Sequence, residues 1–586
     1  MVIEKITKPG LYIIEDSTGG GKTEIALQIA YKLISQGDAR GIFFALPTQF
    51  TGNQIYDRVK EFLSKLIPNP DVRLAHSASW IKDYVPEVQD VPEIQERAPY
   101  SWFASSKRAL LAPYGVGTVD QALMGVISVK HFFLRQYALI NKVVILDEIH
   151  SYDLYTSTLI KSLVTRLIEN GCTVIILSAT LTKKKRAELL RITKDEPLPN
   201  EYPLISSVVN GEYSTFSLSK QKSKRKVKIS LCREAESMEE AIRRAKAGQC
   251  VMIVRNTVEL AQETYKMLRS RLPESTPVGL LHARMPSFIR EPLQKEWAEK
   301  LGAPKPGQKT KRPKGCILVG TQVVEQSLDI DVDFLISDLA PIDMILQRIG
   351  RLWRHLRPDR KGSPEAMIIQ PSEDLSKDGI EISTVLEPHS YVYDPYVLAS
   401  TERTLRGVTF ITENGRDLLE LTYERQDLDS SSFSILRNKM LEAQKKLETK
   451  AINAQCVGRV KLQDDLKETT RYESQACSDV VLLKSMKKND DGTYTIVGLD
   501  GQSAIVNDPI RGRRKDRWKK NIAALLQVNK IRCPDWHLKY SPDAPEWLHD
   551  YFFSSSNIAI VQESGETSIP GMTWNQSLGV ILSKIT

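Results

Sequence analysis

Short, almost wholly apolar runs recur along the first two-thirds of the chain, bounded by polar turns and separated by stretches with helical periodicity. Leu11 to Ile14, Gly41 to Leu46, Val143 to Leu146 and Val174 to Leu177 are four of them; Cys250 to Val254, Cys316 to Gly320 and Phe334 to Ser337 are three more. A run that is apolar without alternation is buried on both faces, as in a parallel strand covered by helices. The pattern predicts an α/β protein with two tandem parallel-sheet blocks, 1–205 and 206–428, joined by a Ser- and Lys-rich connector over 206–228. Between strands of the second block, Ile289 to Leu301 reads as a helix with Pro292 in its first turn. Lys305 to Lys314, rich in Pro and Gly, reads as a surface loop.

Beyond about residue 375 the pattern changes. Phe433, Leu436, Met440, Ala443 and Leu447 fall three and four apart, which predicts a helix with one apolar face and makes 429–478 a helical linker, read as a packing strut. Two apolar runs, Val480 to Leu483 and Tyr494 to Val497, flank Asn489-Asp490-Asp491-Gly492 and predict a hairpin that opens a small α+β accessory domain, 479–586. The one repeat to be found is a possible duplication of the α/β block.

Composition narrows the class without deciding it. A chain of 586 residues with 41% hydrophobic and 26% charged residues is too long for one core and fits a globular protein of several domains. The net charge of +9 suits a polyanionic partner. The seven cysteines are scattered without a CxxC pair and read as reduced core residues. With no signal-peptide core and no membrane-length apolar stretch, the expected location is cytoplasmic, with no membrane partner.

Candidate chemistry begins where the first run ends. Ser17, Thr18, Gly19, Gly20, Gly21, Lys22 and Thr23 form a glycine-rich loop between a strand and a helix start. Its backbone N–H groups can close around a β-phosphate, Lys22 can bridge the β- and γ-phosphates, and the Thr23 hydroxyl can take one position on Mg²⁺. After the third run, Asp147 would hold the same Mg²⁺ and Glu148 would polarise the attacking water, so the pair of motifs points to ATP hydrolysis. Asp16, just before the loop, is expected to point away from the nucleotide. In the second block Gln347-Arg348-Ile349-Gly350-Arg351-Leu352-Trp353-Arg354 places Arg351 and Arg354 three apart, which on one helical turn would aim both guanidinium groups at the γ-phosphate. The run Thr321 to Asp329 lies on the same block, with Asp329 placed at the nucleotide.

Taken in order, Ala45-Leu46-Pro47-Thr48-Gln49, Gly117-Thr118-Val119-Asp120-Gln121, Asp147-Glu148-Ile149-His150, Ser178-Ala179-Thr180 and the Thr321 and Gln347 segments resemble the motif series of superfamily 2 helicases. Lys107 to Pro113, running into Gly115 to Leu123, and Tyr152-Asp153 are similar to the CRISPR-associated helicase of type I interference systems. That resemblance implies two RecA-like P-loop domains. It also implies an ATP-driven single-stranded DNA translocase, moving 3′ to 5′, recruited by a crRNA-guided surveillance complex. Gln347, Arg351 and Arg354 would close on ATP from the second lobe; His150, Ser178 and Thr180 would couple nucleotide state to DNA grip; Thr48, Thr118 and Thr321 would contact the DNA backbone, which carries no sequence information.

Most members of that family carry an N-terminal HD nuclease. Here the phosphate loop follows the first strand at once and the eight histidines are dispersed, so the nuclease is expected on a separate polypeptide or subunit; His549-Asp550 lacks the ligand count of a metal site. The basic segment Arg511 to Lys520, with Trp518, is open to two readings, a DNA contact or a solvated loop. Two other functions share the motifs: a DEAH-like RNA helicase and a nucleotide-gated nucleic-acid clamp.

Overall fold

The computed structural model describes residues 6, 8–16, 19–68, 70–75, 109–129, 131–149, 152–192, 198–199, 201–218, 226–304, 311–326, 329–357, 360, 362–373, 375, 381–412, 415–424, 431–455, 470, 476–506, 515–551 and 556–583. Ser17, Thr18, His150 and residues 511–514 therefore lie outside the described residues, and nothing is said of the side chains of 515–520, 549 or 550.

The first lobe is an eight-stranded sheet built from β1 (Leu11–Glu15), β2 (Gly41–Leu46), β3 (Val72–Ala75), β4 (Tyr114–Thr118), β5 (Lys142–Leu146), β6 (Thr173–Ser178), β7 (Leu204–Val209) and β8 (Glu212–Ser217), in the order β3-β4-β2-β5-β6-β1-β7-β8. The six strands from β3 to β1 are parallel, and β1, β2 and β5 are buried at every position, as unbroken apolar runs require. The second lobe uses β9 (Lys226–Cys232), β10 (Cys250–Val254), β11 (Val278–Leu281), β12 (Cys316–Gly320), β13 (Phe334–Asp338), β14 (Glu365–Ile369) and β15 (Phe410–Thr412), in the order β11-β12-β10-β13-β14-β9-β15. Numbered from its own first strand, that order is the one found in the first lobe without β8. Both lobes also add an antiparallel strand beside the first strand, β7 against β1 and β15 against β9. The two lobes are thus two copies of one RecA-like topology.

Two expectations need correction. The connector over 206–228 and a boundary at 205/206 cut through β7; β7 and β8 form an antiparallel hairpin on the edge of the first sheet, so the crossing lies between Ser217 and Lys226. Their Ser- and Thr-rich sequence hid them, because β8 is an edge strand with no fully buried position and needs no apolar run. Pro292 also falls deeper in its helix than the first turn, because that helix spans Ser287–Leu301 with Pro286 at its cap.

The helix Ser431–Gln455 has 25 residues, about 37 Å at 1.5 Å per residue. Phe433 and Leu436 are buried in the second-lobe core, whereas Ala451 is buried in the first-lobe core among Tyr155, Leu159 and Leu163 of the helix Leu154–Glu169. The third body has a five-stranded sheet, β16 (Cys477–Lys488), β17 (Tyr494–Gly498), β18 (Ser503–Val506), β19 (Lys530–Pro534) and β20 (Ser556–Ile560), and the hairpin β21 (Met572–Asn575) and β22 (Gly579–Leu582). It docks on the second lobe: Gln262 Nε2 donates to the Leu578 and Val580 carbonyls, and the Val580 N–H donates to the Arg284 carbonyl. His282 is buried in this junction 2.9 Å from the Leu578 carbonyl, and burial lowers its pKa to about 3, so it is neutral there. Among the described residues no helix is long and apolar enough to cross a membrane.

Candidate active site

In an open parallel sheet, ligands gather outside the carboxyl ends of the strands. Walking outward from β1 along that edge, the strands deliver the phosphate loop, then Ser178 at the end of β6, Asp147 and Glu148 after β5, Thr48 after β2 and Thr118 at the end of β4. Strand order has thereby collected five motifs, spread between Gly19 and Ser178, onto one rim.

The phosphate loop turns through Gly19 and Gly21, with φ of 83° and 91°, a region that Cβ-bearing residues rarely adopt. Gly21 caps the helix Lys22–Ser35, so the loop's N–H groups and the helix start face the same space. Lys22 is buried, and its ammonium donates to the Asp16 carbonyl at 2.7 Å, tying the helix start to the loop's entry. Asp16 is 1% exposed and its carboxylate lies against the Cα of Gly20, where a Cβ would overlap it. It is therefore part of the loop's packing. Gly20→Ala should lower stability, and Asp16→Ala in the same chain should recover part of the loss, with a coupling of about 1–3 kcal/mol by urea unfolding; strictly additive effects would contradict this packing.

Asp147 is half-buried, and its Oδ1 accepts the Glu148 N–H at 3.0 Å. Burial, then the adjacent Glu148 carboxylate, push the Asp147 carboxyl up to about 7, while Lys22 opposes the shift. Glu148 has a φ of 53°, uncommon for a residue with a side chain and costing about 1–3 kcal/mol where surrounding structure holds it. The oxygens of Asp147 and Thr23 are hard ligands suited to Mg²⁺, and the crowding of Asp147 with Glu148 is what a divalent cation relieves, so the residues present fit that ion.

From the second lobe, the helix Ile342–Ile349 carries Gln347, and Gly350 ends it. Arg351 and Arg354 are consequently not on a helical turn, contrary to the spacing argument. They lie in a turn with Trp353 at a φ of 49°, pinned by backbone hydrogen bonds between Val332 and both Arg351 and Trp353, and by the Arg354 N–H on the Asp331 carboxylate at 2.8 Å. Arg351 Nη2 donates to the Glu325 carbonyl inside the second lobe, whereas Arg354 reaches out of it. Arg354 Nη2 lies 3.2 Å from where a Gly19 Cβ would sit, which brings it across the cleft onto the phosphate loop. Arg351 is buried; desolvation and neighbouring Arg354 lower its pKa to about 10, and Asp329, Glu148 and Glu325 oppose them, so it stays protonated at neutral pH and senses Glu148. Asp329 sits 3.0 Å from Arg354 Nε, and the His355 ring with Arg354 holds its carboxyl down at about 2. Its contacts are thus with the arginine. Gln347 Nε2, Arg351 Nε and Arg354 Nη1 are buried without a hydrogen-bond partner. Of the three, Arg354 lies against the glycine loop, where an anionic ligand would satisfy its orphaned donor.

Other expected residues stand on neighbouring strand ends. Thr321 ends the approach from β12, with its N–H on the Leu281 carbonyl at 3.2 Å; Thr118 begins a short helix without a side-chain cap; the Ser178 hydroxyl donates to the Thr180 carbonyl at 3.3 Å. The sequence reading missed Arg348 and Glu325. Arg348 is fully buried, pairs with Glu325 at 2.7 Å, and donates to Ser337 Oγ at 2.7 Å, joining the ends of β12 and β13 to the helix bearing Gln347. Both residues stand inside the motifs, but nothing local to the sequence separates such an internal brace from an arginine facing the cleft.

Two RecA-like lobes, a phosphate loop with an acidic pair on one and an arginine turn reaching it from the other, define a superfamily 2 helicase fold. Residues 1–189 match the DEAD/DEAH box helicase family, and residues 247–357 the family described as CRISPR-associated nuclease/helicase Cas3, C-terminal. The chain is 34% identical to the CRISPR-associated endonuclease/helicase Cas3 of Thermus thermophilus, over 73% of this chain and 51% of that protein, and 32% identical to that of Escherichia coli, over 81% and 54%. A solved T. fusca Cas3 with ATP superposes with a TM-score of 0.79 at 26% identity, covering 99% of this chain and 69% of that one. A chain of a CRISPR RNA-guided surveillance complex, pre-nicking, gives 0.73 at 26% with the same coverage. The chain belongs to the CRISPR-associated Cas3 helicase family, matching its helicase region, and spans about half the length of the curated relatives it matches.

Proposed function

We propose that this chain is an ATP-driven translocase on single-stranded DNA that works with a crRNA-guided surveillance complex in type I CRISPR interference. The observation that carries the reading is the meeting of Arg354 with Gly19 across the lobes, with Arg351 within electrostatic reach of Glu148. In this reading the loop N–H groups, Lys22 and Gln347 bind the triphosphate. Thr23 and Asp147 hold Mg²⁺, which would neutralise phosphate charge. Glu148 orients and deprotonates the attacking water, and Arg351 and Arg354 stabilise charge that grows on the γ-phosphoryl oxygens. A ligand contacted from both lobes favours their closure, and loss of the γ-phosphate removes that preference, which makes the cycle mechanical.

Similarity to a chain of a CRISPR RNA-guided surveillance complex supports the partner. Thr48, Thr118 and Thr321, at or just past the ends of β2, β4 and β12, would contact the DNA backbone, and the proposed polarity is 3′ to 5′. Cutting is assigned to a nuclease outside these residues, on a separate polypeptide or subunit. ATPase rates with single-stranded DNA and with matched RNA test the motor reading: stimulation by DNA is expected, and stimulation by RNA alone would favour the DEAH-like alternative. Incubation with single-stranded DNA, Mg²⁺ or Mn²⁺ and ATP tests the division of labour. Intact DNA is expected, and degradation that persists in Lys22→Ala would reject it.

A further inference from the structure

Glu15 ends β1, one residue before Asp16 opens the phosphate loop, and its side chain is fully buried. Its Oε1 accepts the Leu181 N–H at 3.1 Å and Arg416 Nη2 at 2.7 Å, and its Oε2 accepts Arg186 Nη1 at 3.2 Å. Both arginines are fully buried as well; Arg186 reaches on to the Pro199 carbonyl at 2.6 Å and Arg416 to the Glu201 carbonyl at 2.7 Å. Three ions out of water are an expensive way to fill a core, and apolar side chains of similar volume would serve stability as well. What such a cluster supplies instead is a fixed register between the elements it joins.

Those elements belong to different lobes. Arg416 opens the helix Arg416–Tyr423, whose Leu419 lies in the second-lobe core and whose Tyr423 hydroxyl donates to Asp343 at 2.6 Å, on the helix that carries Gln347. Gly415, just before it, is packed against Leu346. Glu420 of the same helix accepts the Lys183 N–H of the first lobe. On the receiving side, Glu15 pairs with Ser178 in the β1–β6 ladder, and Leu181 directly follows Ser178-Ala179-Thr180. One ion pair therefore links the helix bearing Gln347 to both the phosphate loop's entry and the Ser178–Leu181 segment, behind the nucleotide face.

We propose that Arg416 is a positioning residue which, through Glu15, sets the phosphate loop and the Ser178–Leu181 segment according to where the second lobe sits. This rests on the nucleotide-site reading above for its effect on turnover, but the contact itself is open to measurement without nucleotide. Labels on exposed Ser35 and Ser270, one per lobe, report the inter-lobe distance distribution in the absence of ATP. In Arg416→Gln it should broaden, and DNA-stimulated kcat should fall at least about tenfold with KM for ATP within about twofold. Arg416→Lys, which can still reach Glu15, should recover part of both effects. If Arg416→Gln does not fold, the pair Glu15→Gln with Arg416→Met removes both partners, keeps the cluster's net charge, and should give the same two changes. An unaltered distribution with unaltered kcat in either folded variant overturns the proposal. If the wild type hydrolyses no ATP, the nucleotide reading fails, and the distance measurement alone decides this one.

Discussion

Glu148→Gln is expected to lower kcat for ATP hydrolysis by about 10³-fold while leaving ATP affinity within about threefold, because a general base contributes to the barrier and not to ground-state binding. Gln keeps the side chain's shape at a backbone position already held at a φ of 53°, so the loss reports chemistry and not collapse of the turn. Single-turnover hydrolysis with and without single-stranded DNA, beside equilibrium ATP binding, is the measurement. Retention of more than about a tenth of the wild-type rate would remove Glu148 from the role assigned to it.

Arg351→Ala should cost about 10³-fold or more in kcat, the range of an arginine that stabilises phosphoryl-transfer charge, with modest loss of ATP binding and little loss of stability. Lys should not substitute well, since its point charge lacks the guanidinium fork. The control is three residues away. Arg348→Ala strips a fully buried partner from Glu325 and should destabilise the second lobe by about 3–5 kcal/mol. Thermal unfolding separates the two variants: an Arg351→Ala protein that unfolds like Arg348→Ala, or keeps near-normal kcat, would show that Arg351 braces the lobe and does not act on phosphate.

How much of this was legible beforehand follows from the range of each interaction. The phosphate loop, the Asp147-Glu148 pair and the central strands were readable because local sequence dictates them: glycines where φ is positive, apolar runs where both faces are covered. The duplication was legible as a possibility and became definite only through matching strand order. The β7–β8 hairpin was not readable, since edge strands alternate with polar residues and look like linker. Arg351 and Arg354 were found through a helical spacing that the chain does not use; a turn pinned by Val332 and Asp331 presents them instead, and its cause lies twenty residues upstream. Asp16 reads as a liability beside triphosphate until its packing over Gly20 is seen. Glu15 and Arg416 had no signal at all, being 401 positions apart and meeting only after both lobes have formed.

The helix Ser431–Gln455 limits how the two lobes can move against each other. Rooted by Phe433 and Leu436 in one interior and by Ala451 in the other, it acts as a shared axle: the lobes can swing about it, but drawing them straight apart would tear one end from its socket. Any relative movement of the lobes that keeps both ends seated is accordingly angular, with its travel limited by the rod.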